Sequence, residues 1–204
     1  MPEEITHREQ IAALRQLLGR IAGEPIPHFD EFTALFRPRS LDRGAFLVRA
    51  GETSEAVAFV SSGVARMFYT RRDGKEFNKG FVSPPDFVSA LEALITKMPT
   101  TLSIQALSPM QLLVASYGEL SRFYDRDIYW QRAGRLIVER VYVKKARREA
   151  SLLMDSAAER YADFLAEHHA ALDQVADYHI AAYLGITPEA LSRLRRARAK
   201  PCGR

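Results

Sequence analysis

The chain has 204 residues, 47% of them hydrophobic, so it can bury a real core and is neither a disordered nor a low-complexity polypeptide. Its formal net charge is +4 and the excess is local: between Ile186 and Arg204 six cations (Arg193, Arg195, Arg196, Arg198, Lys200, Arg204) accompany one acid, Glu189. The single cysteine, Cys202, excludes an internal disulfide and an intrachain cluster needing several thiolates.

The first twenty residues mix charges with isolated apolar positions, and no long apolar run follows, so the expectation is a cytoplasmic chain with no membrane contact. Residues 3 to 22 place Ile5, Ile11, Leu14, Leu17, Leu18 and Ile21 near the helical period, and "GEPIP" ends that helix. Between about Leu41 and Ser116 the character changes. Short β-branched and aromatic runs ("AFLVRAG", "EAVAFVSSG", "VARMFYT", "KEFNKGFV", "TLSIQAL", "QLLVAS") alternate with turn residues, which predicts an antiparallel barrel or sandwich. "TRRDGKEF" is the clearest hairpin, because Asp73 and Gly74 both suit the positive φ of a tight turn.

From Asp127 to Ser151 there is no proline, and Trp130, Ala133 or Gly134, Ile137, Val141 and Leu152 recur in three- and four-residue steps. Such a stripe on a long helix needs cover. The same helix of a second subunit is the simplest cover, and the barrel of the same chain accounts for part of it. Next, Ser156 and Glu159 have capping-box spacing, with Ala158, Tyr161, Phe164 and Leu165 on one apolar face.

The C-terminal segment predicts two helices joined by a three-residue turn. Asp177 can cap "YHIAAYLG", Gly185 can supply the left-handed residue that ends it, and Thr187-Pro188 is a cap followed by proline at the first helical position. Ala181 is small enough for close approach, Leu191 plugs the angle between the helices, and Leu194 lies beside it. At about 100° per residue, Glu189, Ser192, Arg193, Arg196 and Lys200 share one arc of roughly 100°. Arginine can bond guanine through two donors and glutamate can accept from a cytosine amino group, so Glu189, Ser192 and Arg193 are the candidate base contacts. Thr187, Arg195, Arg196, Arg198 and Lys200 are candidate phosphate contacts, Arg195 and Arg198 pointing away from the centre of the face.

A glycine-punctuated β-roll, a long helix and a small helix-turn-helix domain together resemble the Crp/Fnr superfamily of bacterial transcription regulators, from about residue 30 to 200. "HIAAYLGITPEALSRLRRA" is the strongest match, and its Glu189-x-x-Ser192-Arg193 resembles the E-x-x-S-R of the fumarate-nitrate branch, where those positions contact bases. "LDRGAFLVRAGE", "FVSSGVARMFY" and "RDGKEFNKGFV" carry a looser likeness in the sensor half. The resemblance implies an α+β chain: an N-terminal antiparallel β-roll (a double-stranded β-helix) with flanking helices over 1–125, a long dimerisation helix over 126–153 and a helix-turn-helix domain over 154–204. It implies a homodimer on double-stranded DNA carrying an inverted repeat, with RNA polymerase as a further candidate partner.

The ligand segment departs from the family. Cyclic-nucleotide-binding members have G-E-L and then an R-[ST]-A step, the Glu meeting the ribose and the Arg the cyclic phosphate. Here Ser89, Ala90 and Leu91 stand for G-E-L, and Thr100 and Thr101 stand where Arg and its hydroxyl neighbour are expected. Two hydroxyls do not neutralise a buried phosphate. The expectation is a regulator whose effector is an unknown small molecule other than cyclic AMP or cyclic GMP, or that has none.

Two other classes are weaker. A cupin-type enzyme needs a metal held by barrel histidines, and no histidine occurs between His28 and His168. The five histidines (His7, His28, His168, His169, His179) show no paired ligand spacing and read as surface or helix-end residues, so neither a metal nor a cofactor is expected. An interaction module that dimerises without specific DNA binding is the alternative, against which stand the intact cap, turn glycine and polar face.

Overall fold

Thr6 opens the first helix through a capping box: its N–H donates to the Glu9 carboxylate at 2.8 Å, and the Glu9 N–H donates to its hydroxyl at 3.3 Å. The computed structural model describes residues 5–199. Helix α1 therefore runs His7–Ala22, starting later than the periodicity alone suggests, and buries Leu14, Leu17 and Leu18. A short α2 (Phe29–Thr33) leads into the strands.

Eight strands follow: β1 (Arg37–Leu41), β2 (Phe46–Val48), β3 (Ala56–Ser62), β4 (Ala65–Thr70), β5 (Glu76–Val82), β6 (Asp86–Val88), β7 (Leu102–Ala106) and β8 (Met110–Ser116), with α3 (Leu91–Thr96) between β6 and β7. They form two antiparallel four-stranded sheets, ordered β1-β8-β3-β6 and β2-β7-β4-β5. Val48, Val60, Ala65, Ile104 and Leu112 fill the space between them, so the roll is a packed core. Strand β1, "RPRSL", has four exposed residues and only Leu41 buried, so it carries no alternation to read. In the β4–β5 hairpin only Gly74 takes a positive φ, of 83°. Asp73 does not; its carboxylate accepts from the Lys75 N–H at 3.1 Å and from Arg71, bracing a longer turn than the two-residue one expected. Gly63 is needed twice over: its φ is +80°, and a Cβ there would sit 2.3 Å from the Pro109 carbonyl oxygen.

The outer face of the β1-β8-β3-β6 sheet is covered by helices. Phe59, Leu113 and Ala115 of the sheet share one cluster with Leu14, Leu18, Phe32, Phe123 and Trp130. After α4 (Tyr117–Arg122) and a short 3-10 turn, Asp127 caps the long α5 (Ile128–Met154) by accepting from the Tyr129 N–H at 2.7 Å.

Trp130, expected on the stripe shared with a second subunit, lies instead inside its own chain and is 2% exposed. Its ring stacks on Phe32 at 4.1 Å, meets Phe123 edge-on at 5.4 Å, and its Nε1–H donates to the Pro27 carbonyl at 3.1 Å. One turn on, Gly134 admits the Tyr124 ring where a Cβ would meet it at 2.6 Å, and Ile137 is half-buried against the same cluster. Only then does the helix leave its own core: Val138, Val141, Tyr142 and Val143 are exposed, Val141 by 47%, and so are Leu152, Leu153 and Met154.

Three further helices close the fold: α6 (Ala157–His168), α7 (Asp177–Leu184) and α8 (Pro188–Ala199). The Ser156–Glu159 capping box forms, with the Ser156 N–H 2.8 Å from the carboxylate and the Glu159 N–H 3.3 Å from the hydroxyl. Tyr161 and Phe164 are buried and Leu165 half-buried; Ala158, expected with them, is exposed, and His168 takes the buried place one turn beyond Phe164.

Because Trp130 fills the junction of α2, α5 and the roll, Trp130→Ala is expected to lower unfolding stability by about 3–5 kcal/mol, read by urea titration of the Tyr and backbone signals.

Candidate nucleic-acid interface

The C-terminal helices are held by caps that the local sequence dictates. Gly185, with φ 71° and ψ 29°, ends α7, and its N–H and that of Ile186 both donate to the Ala181 carbonyl. Thr187 starts α8, its hydroxyl accepting from the Ala190 N–H at 3.2 Å, with Pro188 at the first helical position. Ala181 and Leu191 are buried where the two helices meet, with Ile180 and Leu184 around them, and Leu194 is half-buried at the edge. The last carbonyls of α7 are satisfied from outside: Arg160 donates to the Leu184 carbonyl at 3.1 Å, and Arg148 donates to the Tyr183 carbonyl with its guanidinium 3.9 Å from the Tyr183 ring centre.

Behind this support α8 shows a polar face. Glu189, Ser192, Arg193, Arg196 and Arg198 are exposed. Among the described residues, Arg193 and Arg198 form no ion pair and no side-chain hydrogen bond, while Arg196 donates weakly to the Ser192 carbonyl at 3.4 Å. The Glu189 carboxyl is held below the usual carboxylate range by the Thr187 hydroxyl first, then by its own backbone N–H and by Arg193, so it stays an ionised acceptor. Lys200 lies outside the described residues.

Two expectations change here. Asp177 is not a cap: Ala176 occupies that position, and the Asp177 carboxylate takes the Arg195 guanidinium at 2.7 Å. Arg195 also donates to the Tyr161 hydroxyl at 3.1 Å. It is thus a tie between α6, α7 and α8, where a free phosphate contact is expected. Its position off the reading face was legible; its two partners come from 18 and 34 residues away.

The same domain rests on the outer face of the second sheet, a contact with no signal in the sequence pattern. Phe81 of β5, 1% exposed, meets Phe164 at 5.8 Å, His168 at 5.8 Å and Tyr183 at 5.5 Å. Beside it Arg66, 6% exposed, donates to the Gln105 side chain at 2.9 and 2.7 Å, to Glu76 at 2.5 Å, and lies 3.3 Å from the His179 Nδ1. Asn78 donates to the His179 carbonyl at 2.8 Å. His168 ends α6, as a helix-end histidine should, but it is buried there, and His179, expected at the surface or a helix end, is buried within α7.

In the ligand segment, Ser89 and Leu91 are half-buried and Ala90 is buried just before α3. The buried Thr100 hydroxyl is occupied within its own turn, accepting from the Leu102 N–H at 2.9 Å and donating to the Leu102 carbonyl at 3.2 Å. Thr101 is exposed, and the one cation of the segment, Lys97, is exposed at the end of α3.

Residues 38–127 match the cyclic nucleotide-binding domain family. No curated protein sequence matches the chain. Among solved structures, it is similar to FixK2 from Bradyrhizobium japonicum at 20% identity and a TM-score of 0.70, over 83% of this chain and 89% of that one. It is similar to the c-di-GMP responsive global regulator CLP of Xanthomonas campestris at 16% identity and a TM-score of 0.65, over 83% of this chain and 90% of that one. A transcriptional regulator of the Crp/Fnr family from Eubacterium rectale matches at 14% identity and a TM-score of 0.67, over 85% of this chain and 83% of that one. Residues 38–127 are thus similar to a cyclic nucleotide-binding domain, and the chain has the fold of the solved regulators it resembles: a β-roll, a long helix and C-terminal helices. Among the described residues, no helix is long and apolar enough to cross a membrane.

Burial first, then the neighbouring Arg66, pushes the His179 pKa down to about 4 from 6.5, and burial likewise lowers that of His168. Between those values the unfolded chain binds protons that the folded chain refuses, so this contribution to stability is complete above pH 6.5 and is lost as pH falls toward 4. Thermal unfolding is expected to show a falling Tm across that window. His179→Asn, which keeps an acceptor for Arg66 but does not titrate, is expected to flatten the slope.

Proposed function

We propose that the protein is a dimeric, sequence-specific, non-catalytic transcription regulator of the cytoplasm that reads an inverted repeat in double-stranded DNA through α8. The observation that carries this reading is the polar face of α8. Glu189, Ser192 and Arg193 stand exposed while Ala181, Leu191 and the Gly185 cap lock the helix from behind. A solvated helix face needs neither a rigid backing nor an ionised acceptor beside an unpaired arginine; base readout needs both. Thr187, Arg196, Arg198 and Lys200 then flank the reading residues as phosphate contacts, which add affinity without sequence information.

The dimer assignment rests on α5. Once Trp130 is assigned to its own core, the apolar surface still exposed along α5 includes Val138, Val141, Tyr142 and Leu152, which at about 100° per residue share one face. Pairing it with a second copy would bring two α8 helices to successive major grooves about 34 Å apart. In this reading residues 1–125 sense, 126–153 pair and 154–204 bind DNA. The exposed Ile95 of α3 and Met98 just after it offer a contact for RNA polymerase.

The effector is a molecule other than cyclic AMP or cyclic GMP, or there is none. Lys97 is the only cation among residues 89–101, and the Thr100 hydroxyl is already bonded. The relative from Xanthomonas campestris is described as responsive to c-di-GMP, so a similar fold serves other ligands. Calorimetric titration with cyclic AMP is expected to give no micromolar binding.

Selection from random duplexes, with sequencing of the bound fraction, is expected to recover a short palindrome. Recovery of no sequence would favour an interaction module instead. Arg193→Ala is expected to cost about 1–3 kcal/mol on the recovered site and little on random DNA; an equal loss on both would make Arg193 a phosphate contact.

A further inference from the structure

The helix-turn-helix domain is joined to α5 by only two residues outside the helices, Asp155 and Ser156, and Asp155 is in extended conformation. A single extended residue is a swivel. Besides the Arg148 bond from α5 to the Tyr183 carbonyl, what restrains the swivel is the outer face of the β2-β7-β4-β5 sheet, where one buried cluster unites Val64 and Phe81 of the roll with Phe164, Ile180, Leu184 and Leu191 of the C-terminal helices.

Apolar contact resists separation but tolerates sliding, because it is roughly proportional to area and has no direction. Buried hydrogen bonds do have direction, and an unmade one costs the desolvation of its donor or acceptor. Two such bonds sit at this contact and both end on His179: the Asn78 amide on its carbonyl at 2.8 Å, and the Arg66 guanidinium against its ring Nδ1 at 3.3 Å. They meet the same residue from strands β5 and β4, which fixes both the height and the rotation of α7 on the sheet.

Arg66 is itself held in place. Gln105 and Glu76 orient the Arg66 guanidinium, and the Phe68 ring lies 3.8 Å beneath it. The Asn78 carbonyl oxygen is buried without a partner, so that side chain contributes through its amide donation to α7 alone. An apolar residue would fill the site without leaving that oxygen unsatisfied.

We propose that Arg66 and Asn78 are positioning residues for DNA recognition: by pinning His179 to the roll they set the attitude at which α8 is presented, and so the half-site spacing that a dimer accepts. This rests on the DNA-binding reading above. Neither residue touches DNA in this scheme; each acts through α7, which packs against α8 through Ala181 and Leu191.

The test is operator selection from random duplexes with three full-length proteins. The wild type is expected to recover one half-site spacing. Asn78→Leu combined with Arg66→Met, which keeps bulk and removes the directed bonds, is expected to recover the same half-site at spacings spread over several base pairs. Its affinity for the wild-type operator should fall about tenfold while affinity for an isolated half-site is unchanged, the loss being one of preorganisation. Loss of stability alone would weaken both targets equally and leave the spacing single, and that result overturns the proposal.

The third protein carries two glycines inserted between Asp155 and Ser156, and it decides the matter if the double variant does not fold. An unchanged spacing shows that the roll contact sets the geometry. A shifted spacing shows that the linker does, and overturns the proposal while leaving DNA binding intact. A wild type that recovers no sequence at all overturns the DNA-binding reading itself, and this proposal with it.

Discussion

Phe81 closes a ring of aromatic side chains with Phe164, His168 and Tyr183, and through them the C-terminal helices are fastened to the β-roll. The placing of α8 and its polar face depends on that attachment. A three-helix unit of this size buries too little on its own to hold one orientation at the end of a two-residue joint. Leaning on the sheet gives α7 a floor, and α7 gives α8 its backing through Ala181 and Leu191. The roll therefore supports the exposed polar face of α8, even though its ligand segment carries Ala90 and Thr100.

The sheet that serves as this floor is covered on its other side by the packed interior, and the opposite sheet is covered by α1, α2 and the first turns of α5. A roll buried on both outer faces has little freedom to deform. Coupling between a ligand and the C-terminal helices would then travel as movement of whole packed layers, since densely packed interiors shift between discrete arrangements more readily than they stretch. Arg148 of α5 and Arg160 of α6 clasp the end of α7, so the C-terminal helices are also tied to the long helix.

Local signals were legible wherever the chain's own neighbours set them. Gly185 and Thr187-Pro188 bound α7 and α8 because left-handed backbone, a hydroxyl cap and a missing N–H are properties of single residues. The Ser156–Glu159 box forms for the same reason, and Thr6–Glu9 has the same spacing, which would have located the true start of α1. The hairpin was recognised by its Asp-Gly pair, yet its length depended on Asp73 turning inward to brace Lys75 and Arg71. Trp130 shows the limit of periodicity: a stripe tells which residues are apolar together, and it does not tell whether Phe32 and Phe123 of the same chain or a second copy will cover them.

By itself the sequence determined the succession of a first helix, a strand-rich roll, a long helix and a C-terminal helix pair, and the face of α8 that combines Glu189, Ser192 and Arg193, because these follow from residue type and from the helical and strand periods. Only the tertiary structure decided which cations are free. Arg193 and Arg195 stand two residues apart with the same chemistry, and the difference between them is Asp177 and Tyr161, brought in from other helices. It alone decided, too, that Arg66, Asn78 and His179 would meet. Separations of 113 and 101 residues leave no periodic trace, and a buried polar contact forms only where folding has already removed the water that would otherwise satisfy it.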